Sequence, residues 1–591
     1  MFIKKTPKKN GRVYLALAEG YRIDGKSRSK TIRSLGYLDE LEKLYDDPIA
    51  HFEEECEREN ALKRKQYATQ TITAHLAQKI DKRTENRKNI GCAIPLSYYN
   101  GLGIETTLRS HSRNRRFSYD VNAIMRLLVI ERMIDPKSKY SAFENRGKYF
   151  FKSDFTDDDI YRSLDFFADK KDAIIAAMNR SIEKQGHRDM SHVFYDVTNH
   201  YFEIDESDED VIDDTTGEVI EEGLRKKGVE KNRRRDPIVQ MGLLQDSNAL
   251  PITYRLFSGN TNDCTTLLPV LKDLKRDYKL ERVIVVADKG LNTSTNIAAN
   301  ILDGNGYVFS QSIRGTKSAK EVRNWVISEA GYIENADGTF KVKSRLCDKT
   351  VHINYTDEDG TEKTKDVDIE IKMVAYWSEK YARRSRHKRA EAIEKAKRLI
   401  ANPASYTKAT SGGAARYVKN ITFDKKTGEV LEDAGKHATL DEALIKEQEA
   451  CDGYYCLITS ETDLLDEKII DIYKGLWRIE EAFKITKSDI STRPVYVRKA
   501  PHIEAHFLTC YIALTILRLI QKDLGFSHSV TKILENISAM SGTHEGSNLW
   551  LFDHRTDLSD LLSENVGIDL TRKRMRLSEI KSVLSQVNKR N

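Results

Sequence analysis

The sequence predicts a mixed α/β, multidomain protein of α+β organisation, and three observations predict it. At 591 residues the chain exceeds what a single hydrophobic core organises. Between residues 192 and 313, short runs of β-branched and aromatic residues alternate with helical segments, the order expected of a sheet flanked by helices. Before and after that stretch the pattern is largely helical, with a Thr-, Lys- and Val-rich interruption from 314 to about 450.

The elements follow in order. Residues 1 to about 37 alternate apolar and polar positions around the turn-forming GYRIDGKS, which suggests a small β-hairpin ending at Gly36. From 38 to 90 the charge-rich sequence reads as helix. Several helical segments fill 96 to 186, including VNAIMRLLVIERMI at 121–134, which stops before Pro136. HVFYDVTNHYF at 192–202 is a strand. An acidic tract at 203–223 and the basic RKKGVEKNRRR at 225–235 read together as an exposed loop. IVQMGLLQ at 238–245 and LPITYRLF at 250–257 form a hairpin across DSNA, followed by a helix at 265–278 and a buried strand, RVIVVAD, at 282–288. A helix around 292–302 and a strand at 307–313 complete the set.

The interruption holds strand-like pieces such as KTVHINY and KDVDIEIKMVAYW and a basic helix at 381–400, a surface for DNA backbone or simply for solvent. Strand character returns at 454–460, long helical segments run from about 462 to 521, and the tail from 526 is mostly helical. These patterns divide the chain into an N-terminal hairpin and helical arm (1–95), a helical region (96–187), a core in two pieces (188–313 and 452–525), a β-rich insertion (314–451) and a helical C-terminal region (526–591).

Composition narrows the class. With 39% hydrophobic and 32% charged residues the chain is a folded, soluble type rather than a disordered one. The net charge of +6 says little about nucleic acid, but the first 33 residues are strongly basic, with Lys4, Lys5, Lys8, Lys9 and Arg12 among their cations, which makes either a solvated basic arm or one that neutralises phosphates. The seven cysteines form no CxxC pair, and Cys451 and Cys456 lack neighbours to complete a zinc site, so free thiols in a reducing compartment are expected. No signal or transit peptide is evident at the start. The apolar run at 506–520 is shorter than a membrane span and contains Arg518, and it reads as a buried helix.

Three carboxylates stand out. Asp196 lies within the first core strand and Asp288 at the end of the fourth, where a charge must be solvated, paired or metal-bound. Ile472, Leu476, Ile479 and Phe483 make one apolar stripe on a helix. Tyr473, Glu480 and Lys487, each seven apart, stack along a second line at its border, so Glu480 is expected to face the sheet's edge and Glu481, about 100° further round, to face solvent.

YDVTNHYFE around Asp196, VADKGLNT around Asp288 and YKGLWRIEEAFKITK around Glu480 resemble the three catalytic regions of insertion-sequence DDE transposases, in the group with a Tyr-Arg-Glu-Lys signature. LFSGNTND at 256–263, RPVYVRKAPHIEAHF at 493–507 and the opening FIKK…GRVYLALAEGYR…SLGYLDEL are similar to further landmarks of that group, so the resemblance spans most of the chain. Tyr473, Glu480 and Lys487 fit the signature, whereas its Arg slot holds Leu476. Arg478 is near in sequence but on nearly the opposite helix face.

The resemblance implies a ribonuclease-H-like catalytic core interrupted by the β-rich insertion. It implies Asp196, Asp288 and Glu480 as catalytic metal ligands, and Tyr473, Lys487 and Lys484 as DNA-contacting residues. Three hard oxygen donors suit Mg²⁺ or Mn²⁺, with two ions expected. The implied reaction is hydrolysis at the element's inverted-repeat ends, then joining of the freed 3′-hydroxyls to target DNA. The expected partners are end and target DNA and a second copy in a homodimer, with no membrane, and the expected location is the cytoplasm at the nucleoid. A nuclease or resolvase without joining, and a non-catalytic DNA-binding descendant, are the competing readings; loss of a carboxylate would mark the second, and all three are present.

Overall fold

In the computed structural model nine strands of one sheet carry the predicted core. Residues 1–8, 11–23, 26–65, 79, 85–213, 215–228, 236–278, 282–314, 320–356, 362–402, 413–420, 438–546 and 548–588 are described. The chain forms two compact units, Met1–Lys82 and Arg83–Asn591.

The first unit is a three-stranded antiparallel sheet, Phe2–Pro7, Val13–Ile23 and Lys26–Tyr37, so the expected hairpin gains a strand. A helix, Pro48–Lys65, belongs to the same unit, and Leu15, Leu17, Leu41, Phe52 and Cys56 close its core. The helix expected over 38–90 is thus partly realised. Residues 66–78 and 80–84 lie outside the described residues, and Arg87–Asn89 is a strand of the second unit.

In the second unit the sheet strands are β1 (Val193–Tyr201), β2 (Ile238–Asp246), β3 (Pro251–Ser258), β4 (Ile284–Ala287), β5 (Gly306–Gln311), β6 (Ile333–Glu334), β7 (Phe340–Thr356), β8 (Glu362–Ser378) and β9 (Tyr454–Thr459). They lie in the order β6-β7-β8-β9-β5-β4-β1-β2-β3. β1, β4 and β5 run parallel, and the other neighbours are antiparallel. Side chains alternate between the faces, as the pleat requires. Phe194, Leu243, Val286, Val308 and Leu457 enter one core, and Val193, Tyr195, Val285, Ala287, Phe309 and Ile458 the other.

Helices cover both faces. Leu267–Tyr278 and Ser294–Leu302 arise where the sequence places them. Val121–Ile134 has the predicted bounds, because Asp120 caps its first turn through the Asn122 amide and Pro136 follows its end. The apolar run near 510 becomes a helix, Ala500–Asp523, buried from Ala505 to Gln521. By length and composition this helix alone among the described residues could cross a membrane, yet 94% of its most apolar window is buried inside the protein.

Three expectations need revision. The β-rich region 314–451 is not set apart from the core: β7 and β8, 17 residues each, extend the core sheet, and a two-stranded sheet, Val418–Lys419 with Thr439–Leu440, is what lies outside it among the described residues. β8 pairs with β9 from Lys372 to Trp377, where Val374 and Tyr376 fill one core and Met373 and Ala375 the other. The tail is not purely helical, since Ser541–Gly546, Leu549–Phe552 and Arg574–Arg576 join Arg87–Asn89 in a four-stranded sheet. Strands so short, with a partner so distant in the chain, leave no periodic signal. The acidic and basic tracts are not simply solvated: Arg225 pairs with Asp208, Lys226 with Asp210 at 2.7 Å, and a small hairpin spans Val211–Ile212 and Val219–Glu221. Residues 229–235 of the basic tract lie outside the described residues.

Candidate active site

Phe194, Asp196, Thr198 and His200 alternate along β1 and so share one face. The parallel register of β1 with β4 pairs Val193 with Val285 and Phe194 with Val286. Carried two residues further, it sets Asp288 alongside Asp196 on that face. Asp196 is half-buried and accepts a bond from the Val197 amide at 2.8 Å. Asp288 is exposed at the end of β4, where the backbone turns into a 3-10 helix, Lys289–Leu291. Its Oδ1 accepts from Ser310 Oγ on β5 at 2.9 Å and faces the Tyr473 hydroxyl at 3.4 Å.

The third carboxylate comes from a broken helix. α1 (Asp466–Lys474) and α2 (Trp477–Lys484) flank Gly475, and a π-helical turn, Ile485–Asp489, follows. Ile472, Leu476, Ile479 and Phe483 are all buried, as their spacing predicts. A Cβ on Gly475 would lie 2.5 Å from the Phe194 ring, so the absence of a side chain lets the helix approach β1. At one end of the seven-residue line, Tyr473 reaches Asp288. At the other, Lys487 Nζ donates to Thr198 Oγ1, two residues beyond Asp196 on the same face. Glu480 is midway between these anchors, and its side chain is exposed. Lys484 is exposed one turn on. Burial, above all, pushes the Tyr473 phenol well above its ordinary range, so it acts as a neutral hydroxyl.

The neighbouring glutamate behaves otherwise than its helix position suggests. Glu481 is not a free solvent residue: its carboxylate lies 2.7 Å from Nη1 of Arg518, a fully buried guanidinium that also donates to the Arg478 carbonyl at 2.8 Å. Arg478 itself donates to the Ser247 carbonyl at 2.5 Å in the β2–β3 turn, away from the carboxylate face. Leu476, in the signature's Arg slot, is a core residue.

Among the described residues no three His, Cys, Asp or Glu side chains converge into a ready-made cation cage. The donor chemistry nevertheless fits a hard divalent cation: Asp196 and Asp288 are neighbours in register, and Glu480 stands on the helix line between their anchors. A cavity of about 200 Å³ opens beside Asp288, lined by Lys289, Ser310, Arg314, Tyr455 and Tyr473 among others; Asp196 and Glu480 do not line it.

Sequence reasoning missed Ser310, Thr198 and Arg518. Thr198 was accessible from the period of two along β1; Ser310 and Arg518 come from other elements and left no local signal.

Residues 211–516 match the family model of the transposase DDE domain, and residues 3–71 that of the N-terminal domain of IS1634 family transposases. The chain belongs to the DDE transposases of insertion sequences. No curated protein matches it. The DDE domain implies a ribonuclease-H-like fold for this transposase, in keeping with its mixed α/β sheet. The match begins beyond β1, so Asp288 and Glu480 fall within it and Asp196 before it.

Proposed function

We propose that this transposase binds the inverted-repeat ends of its element, cleaves them hydrolytically and joins the 3′-hydroxyl ends to target DNA, with Asp196, Asp288 and Glu480 as its catalytic carboxylates. One observation carries the reading: β1 and β4 pair in parallel in a register that, extended two residues, brings Asp288 beside Asp196, and the helical segments flanking Glu480 reach Asp288 through Tyr473 and Thr198 through Lys487. In a DDE transposase this is where the third carboxylate belongs. Membership of the Tyr-Arg-Glu-Lys group is part of the proposal, with Leu476 as its departure.

The three carboxylates would hold Mg²⁺ or Mn²⁺. A pair of such ions, when bound, supplies activation of the attacking water or 3′-hydroxyl and charge stabilisation at the leaving oxygen. The protein's part is orientation. Ser310 and Tyr473 fix the Asp288 carboxylate through their hydroxyls, as outer partners of metal ligands do. Lys487 and the exposed Lys484 offer ammonium groups to a phosphate of the DNA end, and Tyr473, at the Asp288 end of the line, makes a further DNA contact. We assign end recognition to the basic N-terminal arm and the helical region before residue 187, and expect a homodimer to hold the two ends. The core pieces 188–313 and 452–525 carry the chemistry, with 314–451 and 526–591 in support.

The test is incubation of the full-length protein with labelled end DNA and a target plasmid in Mg²⁺, alongside Asp288→Asn. Nicked and joined products from the wild type, with binding alone from the variant, support the reading. Nicking without joining indicates a nuclease, and equal products from both proteins overturn the assignment of Asp288.

A further inference from the structure

Arg314 links two cavities that otherwise have no lining residue in common. One is the space of about 200 Å³ beside Asp288, and the other, of about 130 Å³, is lined by Arg314, Ser385, Lys388, Arg389, Arg416, Tyr417 and Gln448. Sharing Arg314 as a wall, they adjoin between the end of β4 and the helix Glu379–Ala401, which follows directly on β8, and are taken together as one groove. Among the described lining residues, Lys289, Arg314, Lys388, Arg389 and Arg416 stand with the carboxylate of Asp288, while Asp452 pairs with Arg314 and Arg389, and Glu449 with Arg389.

Two of these cations share a counter-charge, because Arg314 Nη2 lies 3.5 Å from the Asp452 carboxylate that also holds Arg389. Arg389 forms a two-pronged pair with Asp452, both contacts at 2.6 Å, which fixes the helix to the residue preceding the β9 turn. Arg314 donates to the Cys451 carbonyl at 2.8 Å and keeps its guanidinium 39% exposed. Lys289, Lys388 and Arg416 are exposed. Arg416 is braced by the Tyr417 hydroxyl at 2.7 Å and stacks over that ring at 4.6 Å. Ser310, Ser312, Ser385 and Gln448 add neutral donors between the charges. Cations interspersed with hydroxyl and amide donors suit a row of phosphates.

We infer that this groove is a track for the phosphodiester backbone of the DNA strand that leaves Asp288, and that Lys388 and Arg416 each neutralise a phosphate of it. The inference rests on the transposase reading above and extends it to a region of the chain beyond the three carboxylates. DNA fits better than an acidic protein because the cations border both the cavity at the candidate cleavage site and the one that adjoins it through Arg314.

The test is the salt dependence of binding by the full-length protein to end DNA carrying a flank, between 50 and 200 mM salt. Each lost phosphate contact lowers the slope of log K against log salt by about 0.9 on duplex and about 0.7 on single strands. The double variant Lys388→Ala/Arg416→Ala is expected to flatten the slope by about 1.8 on duplex, or about 1.4 if the tracked strand is single, and Lys388→Arg/Arg416→Lys to keep it. Lys388→Ala alone, at an exposed position, is expected to give about half the change. An unchanged slope for the double variant, with DNA still bound, overturns the groove and leaves the transposase reading standing. A change seen with RNA or an acidic protein but not with DNA overturns the choice of partner. A wild type that binds no DNA overturns both.

Discussion

Two adjacent glutamates on α2 are expected to answer the same substitution in opposite ways. Glu480→Gln removes a charge from an exposed side chain, so stability should hold within about 0.5 kcal/mol, as for ordinary surface changes. Nicking of end DNA should fall at least about a hundredfold, beyond the ten- to hundredfold typical of residues that only support a metal ligand. Glu481→Gln removes the counter-charge of Arg518, a side chain with no exposed surface. Stripping one partner from a buried pair costs about 3–5 kcal/mol. Two features lower that figure: Glu481 keeps 33% exposure, and Arg518 retains the Gln521 side chain at 2.9 Å and the Arg478 carbonyl at 2.8 Å. About 2–3 kcal/mol remains. Unfolding entropy near 2.1 cal/mol/K per residue, over a unit running from Arg83 to Asn591, amounts to about 1 kcal/mol/K. The loss should therefore lower Tm by roughly 2–3 °C. Scanning calorimetry on the full-length protein, paired with nicking per folded molecule, reads both effects. If Glu481→Gln abolishes nicking at an unchanged Tm while Glu480→Gln cuts normally, the roles are reversed and the reasoning fails.

Three further outcomes are expected. Tyr473→Phe with Ser310→Ala frees the Asp288 carboxylate of both hydroxyls, and a Mg²⁺ titration of nicking should show about 10–100-fold weaker metal dependence; an unchanged midpoint would refute the positioning role. Burial drives the Lys139 ammonium down to about 7, against His506 Nδ1 at 2.7 Å. The unfolded chain then binds the extra proton between about pH 7 and the ordinary lysine value near 10.4, so stability rises with pH across that window. Lys139→Met should accordingly stabilise most below pH 7 and lose its advantage towards pH 10, as Tm against pH will tell. Gly475→Ala drives a Cβ against the Phe194 ring and should cost about 1–3 kcal/mol, with activity falling as α2 is displaced; an unaffected Tm and rate would show that the approach to β1 is not tight.

The parts legible from the sequence were those in which a local pattern and a local stop signal agree. The helix from Val121 to Ile134 has a capping Asp120 before it and Pro136 after it, and the strands holding Asp196 and Asp288 are short, β-branched and apolar. The apolar stripe of Ile472, Leu476, Ile479 and Phe483 was equally readable. What remained hidden depends on distant partners. Spacing alone assigned Glu481 to solvent, because Arg518 comes from a helix well downstream. The helical segments expected from about 462 to 521 are interrupted at Gly475, which packs on Phe194 of β1, and by the π turn at Ile485–Asp489, from which Lys487 reaches Thr198. The role of β7 and β8 as sheet extensions was obscured by their exposed outer halves, whose alternation of Lys, Asp and Glu reads as a free-standing hairpin.

The junction at Ser378–Glu379 gives the sheet extension a further meaning. The basic helix begins on the residue after β8, and β8 is tied through β9 and β5 to β4, at whose end Asp288 stands. The start of the helix is therefore held to that carboxylate through the backbone ladders between four neighbouring strands, and Arg389 pins the helix further along to Asp452. A hinged domain would let DNA contacts slide along the strand. On the proposed reading, a ladder of main-chain hydrogen bonds would instead make the protein a ruler, with the separation between the bond to be cut and the first phosphates held beyond it built into the spacing of the sheet.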